Sequence, residues 1–102
     1  MKLEITREIK QKEIIDIEFP YYYTSEWGRD LVDVYGKAYG KIEENKCTLI
    51  TETKCVAGIS YEIEIDDRHA SCFGCYMTEY YKSSEEEYLA AKGRLLKAAQ
   101  EA

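Results

Sequence analysis

Hydrophobic and acidic residues alternate most regularly in the segment Tyr-Glu-Ile-Glu-Ile-Asp, at positions 61 to 66. A period of two predicts a half-buried antiparallel β-strand with one face toward the core. The core face of this strand is apolar and consists of Tyr61, Ile63 and Ile65. The opposite face is predicted to be exposed and acidic and consists of Glu62, Glu64 and Asp66.

The same alternation predicts strands in the first part of the chain. Apolar residues at odd positions from Leu3 to Phe19 fit either two strands with a tight turn or one long strand with a bulge. Pro20 is expected to end this ladder, because proline has no N–H to donate. Residues 21–28 are predicted to form a loop.

A hairpin is predicted between this loop and the acidic strand. Its arms are residues 34–43 and 47–53, where threonine and aliphatic residues support the second arm, and residues 43–46 close the turn. Residues 54–58 then turn the chain into the acidic strand. Three consecutive strands therefore form a meander.

The last third of the chain combines an ambiguous segment with a helix. Residues 67–82 fit a short helix and an irregular segment equally, because Gly74 interrupts apolar residues at helical spacing. Residues 84–100 are predicted to be helical, with Ser84 as N-cap and Glu87 reaching back to the N–H of the cap. The fold class is therefore α+β: one domain, residues 1–102, in which an antiparallel meander of four to five strands carries the C-terminal helix on one face.

Charge restricts the classes of function. The 102 residues include 20 acidic and 14 basic ones, a formal net charge of −6. Direct nucleic-acid binding is not expected, because such affinity comes mostly from Lys and Arg that neutralise phosphates. No apolar run reaches the roughly 20 residues of a membrane span, and the N-terminus is too charged for a signal peptide, so a cytoplasmic protein is expected. An acidic row suits a basic partner, although it is more often only a solubilising surface.

Four cysteines and one histidine raise the question of a metal site. His69, Cys72 and Cys75 have the spacing of a zinc knuckle. Cys47 and Cys55 are roughly 26 Å apart along an extended strand, so they are not expected to complete such a site. Free cysteines without zinc or another cofactor are the expected state. No pairing of a nucleophile with a base predicts an enzyme.

Aromatic residues are abundant, with ten tyrosines and one tryptophan. Tyr21, Tyr22, Tyr23 and Trp27 cluster in the predicted loop, where some of them must be exposed. Exposed tyrosine and tryptophan are typical of protein interfaces. Tyrosines at the rim of a small core that has only two phenylalanines explain the same composition equally well.

Three segments give the chain a resemblance to small acidic proteins of bacteriophages and mobile elements. They are Ile-Glu-Phe-Pro-Tyr-Tyr-Tyr at 17–23, Tyr-Gly-Lys-Ile-Glu-Glu-Asn-Lys at 39–46 and Tyr-Lys-Ser-Ser-Glu-Glu-Glu-Tyr at 81–88. Such proteins include inhibitors of host defence, among them anti-CRISPR proteins. The resemblance implies stoichiometric inhibition of a nucleic-acid-binding effector, and it assigns no role to any single residue.

The leading hypothesis is a non-catalytic protein-binding module that blocks a basic, nucleic-acid-binding cleft of a partner protein. Carboxylates ~6.7 Å apart along a strand can imitate successive phosphates. The residues predicted to bind the partner are Glu62, Glu64, Asp66, Glu43, Glu44, Tyr22, Tyr23 and Trp27. The alternative is a binder of a nucleotide-like small ligand that stacks on residues 21–27, with Arg29 or Lys37 at its phosphate. Both hypotheses leave the oligomeric state open.

Overall fold

The computed structural model describes residues 1–8, 11–29, 33–72 and 80–101. Their strands and helix are β1 (Lys2–Glu8), β2 (Gln11–Asp16), β3 (Tyr21–Arg29), β4 (Val34–Glu43), β5 (Lys46–Cys55), β6 (Gly58–Asp66), β7 (Tyr80–Lys82) and α1 (Glu85–Glu101). A short 3₁₀ turn covers Ala70–Cys72. The predicted α+β fold is confirmed.

Five strands form one antiparallel sheet in the order β6-β5-β4-β3-β7. The predicted meander is confirmed, since β4, β5 and β6 follow one another through tight turns. Strands β1 and β2 pair with each other in a separate two-stranded sheet. Of the two alternatives for this part of the chain, the one with two strands is therefore correct, and the one with a single long strand and a bulge is not. The predicted loop at 21–28 is wrong, because these residues form β3. Both faces of β3 carry packed tyrosines, and this hides the alternation that marks a half-buried strand.

The β1–β2 hairpin packs on one face of the five-stranded sheet, which we call the hairpin face. The buried side chains of this layer are Leu3, Ile17, Tyr23, Ile42, Cys47 and Ala70. Close to the hairpin, the N–H of Ile17 donates to the carbonyl of Met1 at 2.8 Å. Apolar burial on both sides therefore joins the small sheet to the large one.

Helix α1 packs on the opposite face of the sheet, which we call the helix face. Its buried contacts are Tyr39, Ile50, Tyr88 and Ala91, with Tyr22 and Leu95 at the margin. Arg94 fastens the helix to the sheet, because its Nε donates to Glu52 at 3.0 Å and its Nη2 donates to the Tyr39 hydroxyl at 3.1 Å. The five-stranded sheet is thus the middle of three layers.

The start of α1 agrees with the predicted N-cap. The N–H of Glu87 donates to Ser84 Oγ at 3.3 Å, which satisfies one of the free donors of the first turn. The carboxylate of Glu87 accepts a 2.7 Å hydrogen bond from the Ser83 hydroxyl instead of reaching the N–H of the cap. A hydroxyl donor to a carboxylate is a strong bond, and Ser83 offers one nearby. The described chain has no helix that is long and apolar enough to cross a membrane.

The ambiguous segment 67–82 contains only short elements where the structure describes it. The 3₁₀ turn at Ala70–Cys72 replaces the start of the possible helix. Residues 73–79, which include the rest of that possible helix, lie outside the described residues. Tyr80–Lys82 form β7, a strand that the sequence did not predict.

Candidate protein-binding surface

The register of the meander decides which side chains share a face, because directly opposed residues of antiparallel strands point to the same side. Glu64 is opposite Leu49, and Leu49 packs against the core under the β1–β2 hairpin. Glu62, which is opposite Thr51, lies on the same hairpin face. The predicted separation of acidic and apolar residues on β6 is therefore correct.

Glu62 and Glu64 form the uncompensated part of the acidic row. Both side chains are exposed. No ion pair joins either of them to another residue in the part of the chain that the structure describes. Their side chains leave the strand on the same side, roughly 6.7 Å apart along it.

Asp66 continues this row in register, but its carboxylate forms an ion pair with an arginine of the same chain. Arg68 Nε donates to the two carboxylate oxygens of Asp66 at 2.8 and 3.0 Å. These hydrogen bonds are the main reason why the pKa of Asp66 lies below its ordinary value. A partner would have to displace Arg68 before it could use this carboxylate.

The register also separates the basic residues of the meander from the acidic row. Lysines of β4 and β5 all lie on the helix face, at positions Lys37, Lys41, Lys46 and Lys54. Acidic residues of the helix face are paired: Glu26 with Lys37 at 3.6 Å, Glu43 with Lys41 at 3.8 Å and Glu52 with Arg94. On the hairpin face, the charged residues of β4, β5 and β6 are all acidic. The acidic residues of the helix face are therefore compensated, whereas Glu62 and Glu64 on the hairpin face are not.

Glu43 and Glu44, predicted to extend the acidic field, lie apart from it. Glu43 is on the helix face, because the period of two separates it from its buried neighbour Ile42. Glu44 is exposed in the β4–β5 turn, and its carbonyl accepts the N–H of Ala70 at 2.8 Å. Neither carboxylate lies beside Glu62.

The predicted aromatic residues divide between the two faces of β3. The ring centroid of Tyr22 lies 5.5 Å from that of Tyr88 on the helix face. Tyr23 and Trp27 lie on the hairpin face, where their rings cover Gly40 and Gly36 of β4 so closely that a Cβ on either glycine would collide with the ring. Tyr23 is buried, whereas Trp27 is 42% exposed. Among these aromatic residues, Trp27 is the one that a partner can reach on the acidic face.

Small side chains lie between Trp27 and the acidic row. Ser25, Ala38 and Thr51 form the row of opposed residues that ends at Glu62. Three strand spacings separate β3 from β6, a distance of about 14 Å. A depression of about 280 Å³ lies on this face and is bordered by Tyr23, Ala38 and Glu64. The surface is therefore shallow, with an aromatic residue on one side and carboxylates on the other.

The apolar side of β6 is more exposed than the sequence predicts. Ile63 and Ile65 are 48% and 57% exposed, although the alternation places them toward the core. Ile59, on the same side of the strand, is 55% exposed. The reason is that β6 is an outer strand, while the buried contacts of α1 lie over Tyr39 and Ile50. Alternation identifies the apolar face of a strand, but it carries no signal for whether that strand is at the edge.

Within the described residues, no group of three His, Cys, Asp or Glu side chains is placed to hold a metal ion. His69 Nδ1 is within hydrogen-bond distance of the Ser71 hydroxyl, at 2.9 Å. Cys47 and Cys55 are free thiols near opposite ends of β5, and burial raises the pKa of Cys47 to about 11. Cys75 and the side chain of Cys72 lie outside the described residues. The zinc knuckle therefore stays a hypothesis.

Comparison with known proteins gave no match to a protein-family model, a curated protein or a solved structure. The resemblance to small phage inhibitors accordingly stays a hypothesis. The one-sided charge of the meander and the exposed Trp27 are the features of the described residues that bear on function.

Proposed function

We propose that this protein is a non-catalytic protein-binding module that uses the hairpin face of β6 to bind a basic surface of a partner. The observation that carries the proposal is the pair Glu62 and Glu64, exposed on a face where β4, β5 and β6 contribute no basic residue. On the helix face of the sheet, Glu26, Glu43 and Glu52 are paired with lysine or arginine. An uncompensated row of one sign steers an oppositely charged partner and favours it over others.

The proposed activity is inhibition by occupancy of a nucleic-acid-binding cleft in a cytoplasmic effector. Carboxylates roughly 6.7 Å apart can take the place of successive phosphates in such a cleft. Trp27 is the proposed aromatic anchor, because tryptophan buries a large area with few rotatable bonds. The resemblance to small phage inhibitors supports the same mode of action.

A nucleotide-like ligand has weaker support. It would need the aromatic residues of β3 on a common platform, but Tyr22 faces the helix and Tyr23 is buried. Lys37 lies on the helix face, opposite Glu52 and on the side away from the Trp27 ring. The side chain of Arg29 is outside the described residues.

The test compares the wild-type chain with Glu62→Lys/Glu64→Lys in affinity capture from its natural host. Captured nucleic-acid-binding proteins are purified, and their dissociation constants for both chains are measured. Charge reversal is expected to weaken binding by about tenfold or more, because two attractions become repulsions. The difference should shrink as salt is added. Wild-type protein, but not the variant, should displace nucleic acid from the captured effector.

The matched control is Glu18→Lys/Glu101→Lys, which changes the net charge by the same amount at two exposed positions outside β6. Circular dichroism and thermal unfolding establish that both variants are folded. Equal binding by the wild type and Glu62→Lys/Glu64→Lys would contradict the proposal. An equal loss in the control would attribute binding to net charge instead of the β6 row.

A further inference from the structure

The hydrogen-bond pattern of β6 follows from two hairpins. Glu43 opposes Lys46 across one two-residue turn, and Cys55 opposes Gly58 across the other. Residues that flank a two-residue turn form a hydrogen-bonded pair, and such pairs alternate along the ladder. Both hairpins give the same alternation for β5. The backbone N–H and C=O groups that face away from β5 therefore belong to Ile59, Tyr61, Ile63 and Ile65.

These outward-facing backbone groups lie at the end of the sheet. In the described ranges, β6 pairs with β5 alone, and no other backbone hydrogen bond reaches it. The same residues supply the exposed isoleucines of the helix face. Beside them, Leu95, Ala98 and Ala99 of α1 line an open groove of about 350 Å³. Proteins usually protect edge strands that carry such large apolar side chains, so this edge has the features of a binding site.

We propose that β6 accepts a sixth strand from the partner, added antiparallel, in which apolar residues alternate with Lys or Arg. Antiparallel addition continues the sheet and is the more stable pairing. Basic side chains of the added strand would lie on the hairpin face beside Glu62 and Glu64. Its apolar side chains would lie on the helix face beside Ile63 and Ile65, next to the groove. This inference rests on the proposed function and adds the chemistry of the partner segment.

A second copy of the chain fits this edge poorly. Antiparallel pairing of two β6 strands centred on Ile63 would place Glu62 of one copy opposite Glu64 of the other. Like charges directly opposite each other destabilise a sheet. The acidic row therefore disfavours self-association in this register and favours a basic strand.

The probe is an acetylated and amidated heptapeptide of alternating lysine and valine, with lysine at both ends. Its four lysines can face Ser60, Glu62, Glu64 and Asp66, and its three valines can face Tyr61, Ile63 and Ile65. Binding is measured by fluorescence anisotropy of a labelled peptide, and amide exchange by NMR. Saturating peptide should slow exchange of the Tyr61, Ile63 and Ile65 amides by at least about tenfold, because these N–H groups gain a partner.

Two N-methylated peptides provide matched controls with unchanged charge. Methylation of the backbone nitrogens of the valines removes the N–H donors that face β6 in antiparallel addition. Methylation of the backbone nitrogens of the lysines removes only the donors on the side of the peptide that faces away from β6. The first change should weaken binding by about tenfold or more, because it removes several hydrogen bonds, and the second by much less. Equal behaviour of the two peptides would overturn strand addition while leaving the proposed function in place.

The variant Glu62→Gln/Glu64→Gln separates failure of this inference from failure of the proposed function. Both positions are exposed, so the amides are not expected to disturb the fold. The variant should bind the unmethylated peptide more weakly than the wild type does, most of all at low salt. If the wild type fails to bind the peptide, strand addition is overturned, and the proposed function is decided separately by the affinity capture with Glu62→Lys/Glu64→Lys. If both chains bind the peptide equally, the acidic row does not select a basic strand and this inference is likewise overturned; loss of partner binding in Glu62→Lys/Glu64→Lys would still support the proposed function.

Discussion

Replacing Gly40 by alanine tests the contact between β3 and β4 that forms the floor of the acidic face. A Cβ at this position would collide with the ring of Tyr23. Tyr23 is only 5% exposed and packs in the core with Ile42 and Cys47, so its ring has little space to move into. The substitution should therefore destabilise the fold, although alanine is usually preferred to glycine in a strand.

Two opposing contributions set the magnitude. Alanine is favoured over glycine by roughly 0.5–1 kcal/mol, because glycine loses more conformational entropy on folding. Overpacking of a core costs about 1–3 kcal/mol. The expected net loss in the free energy of unfolding lies between about 0 and 2.5 kcal/mol, with a central value of about 1 kcal/mol. Gly93→Ala in α1 is the matched control: apart from its chain neighbours and the adjacent helix backbone, no atom of the described residues lies within 4 Å of its added Cβ, so it should stabilise the protein by roughly 0.5–1 kcal/mol.

Urea denaturation followed by circular dichroism measures both effects, and a double-mutant cycle assigns the cause. In a Tyr23→Ala background the ring is gone, and Gly40→Ala should become neutral or stabilising. The coupling between the two sites should be about 1–3 kcal/mol. Stabilisation by Gly40→Ala in the wild-type background would refute the reasoning, and so would an identical effect with and without Tyr23.

Two further predictions concern the attachment of the helix and the buried thiol. Arg94→Ala should lower the free energy of unfolding by about 1 kcal/mol, since a partly exposed guanidinium bonds to both Glu52 and Tyr39. In urea denaturation, Arg94→Lys should recover only part of this loss. Full stability of the alanine variant would contradict the prediction. Burial raises the pKa of Cys47 from 9.0 to about 11, so between these values the unfolded chain releases a proton that the folded chain keeps. Stability should therefore fall as pH rises through this window, and Cys47→Ala should make the fall shallower; an unchanged slope in pH-dependent unfolding would show the assignment to be wrong.

Most of the meander is predictable because its signals are local. Alternation and two short turns specify the hairpins of β4, β5 and β6. Strand β3 carries packed tyrosines on both faces, so apolar and polar residues do not alternate along it. Strand β7 has three residues and depends on pairing with Tyr23 and Ser25, which are distant in sequence.

The candidate site is predictable only in part, because some of its features depend on the fold and not on the local sequence pattern. The period of two places Glu62 and Glu64 on one face without knowledge of the fold. The pairing of Arg68 with Asp66 depends on how the chain leaves β6. The exposure of Ile63 depends on which strands α1 covers, and a sequence pattern does not contain that information.

The two-residue turn at Val56 and Ala57 has a consequence for how this surface can change. Removing one of these residues could shift β6 by one position along β5 and rotate every side chain of the strand to the other side. Carboxylates would then lie beside the lysines under α1, and isoleucines would cover the opposite side. The turn itself has no charged residue, but its length determines the sign of the charge on this surface of β6. An insertion or deletion there would therefore abolish that sign more completely than loss of any single acidic residue.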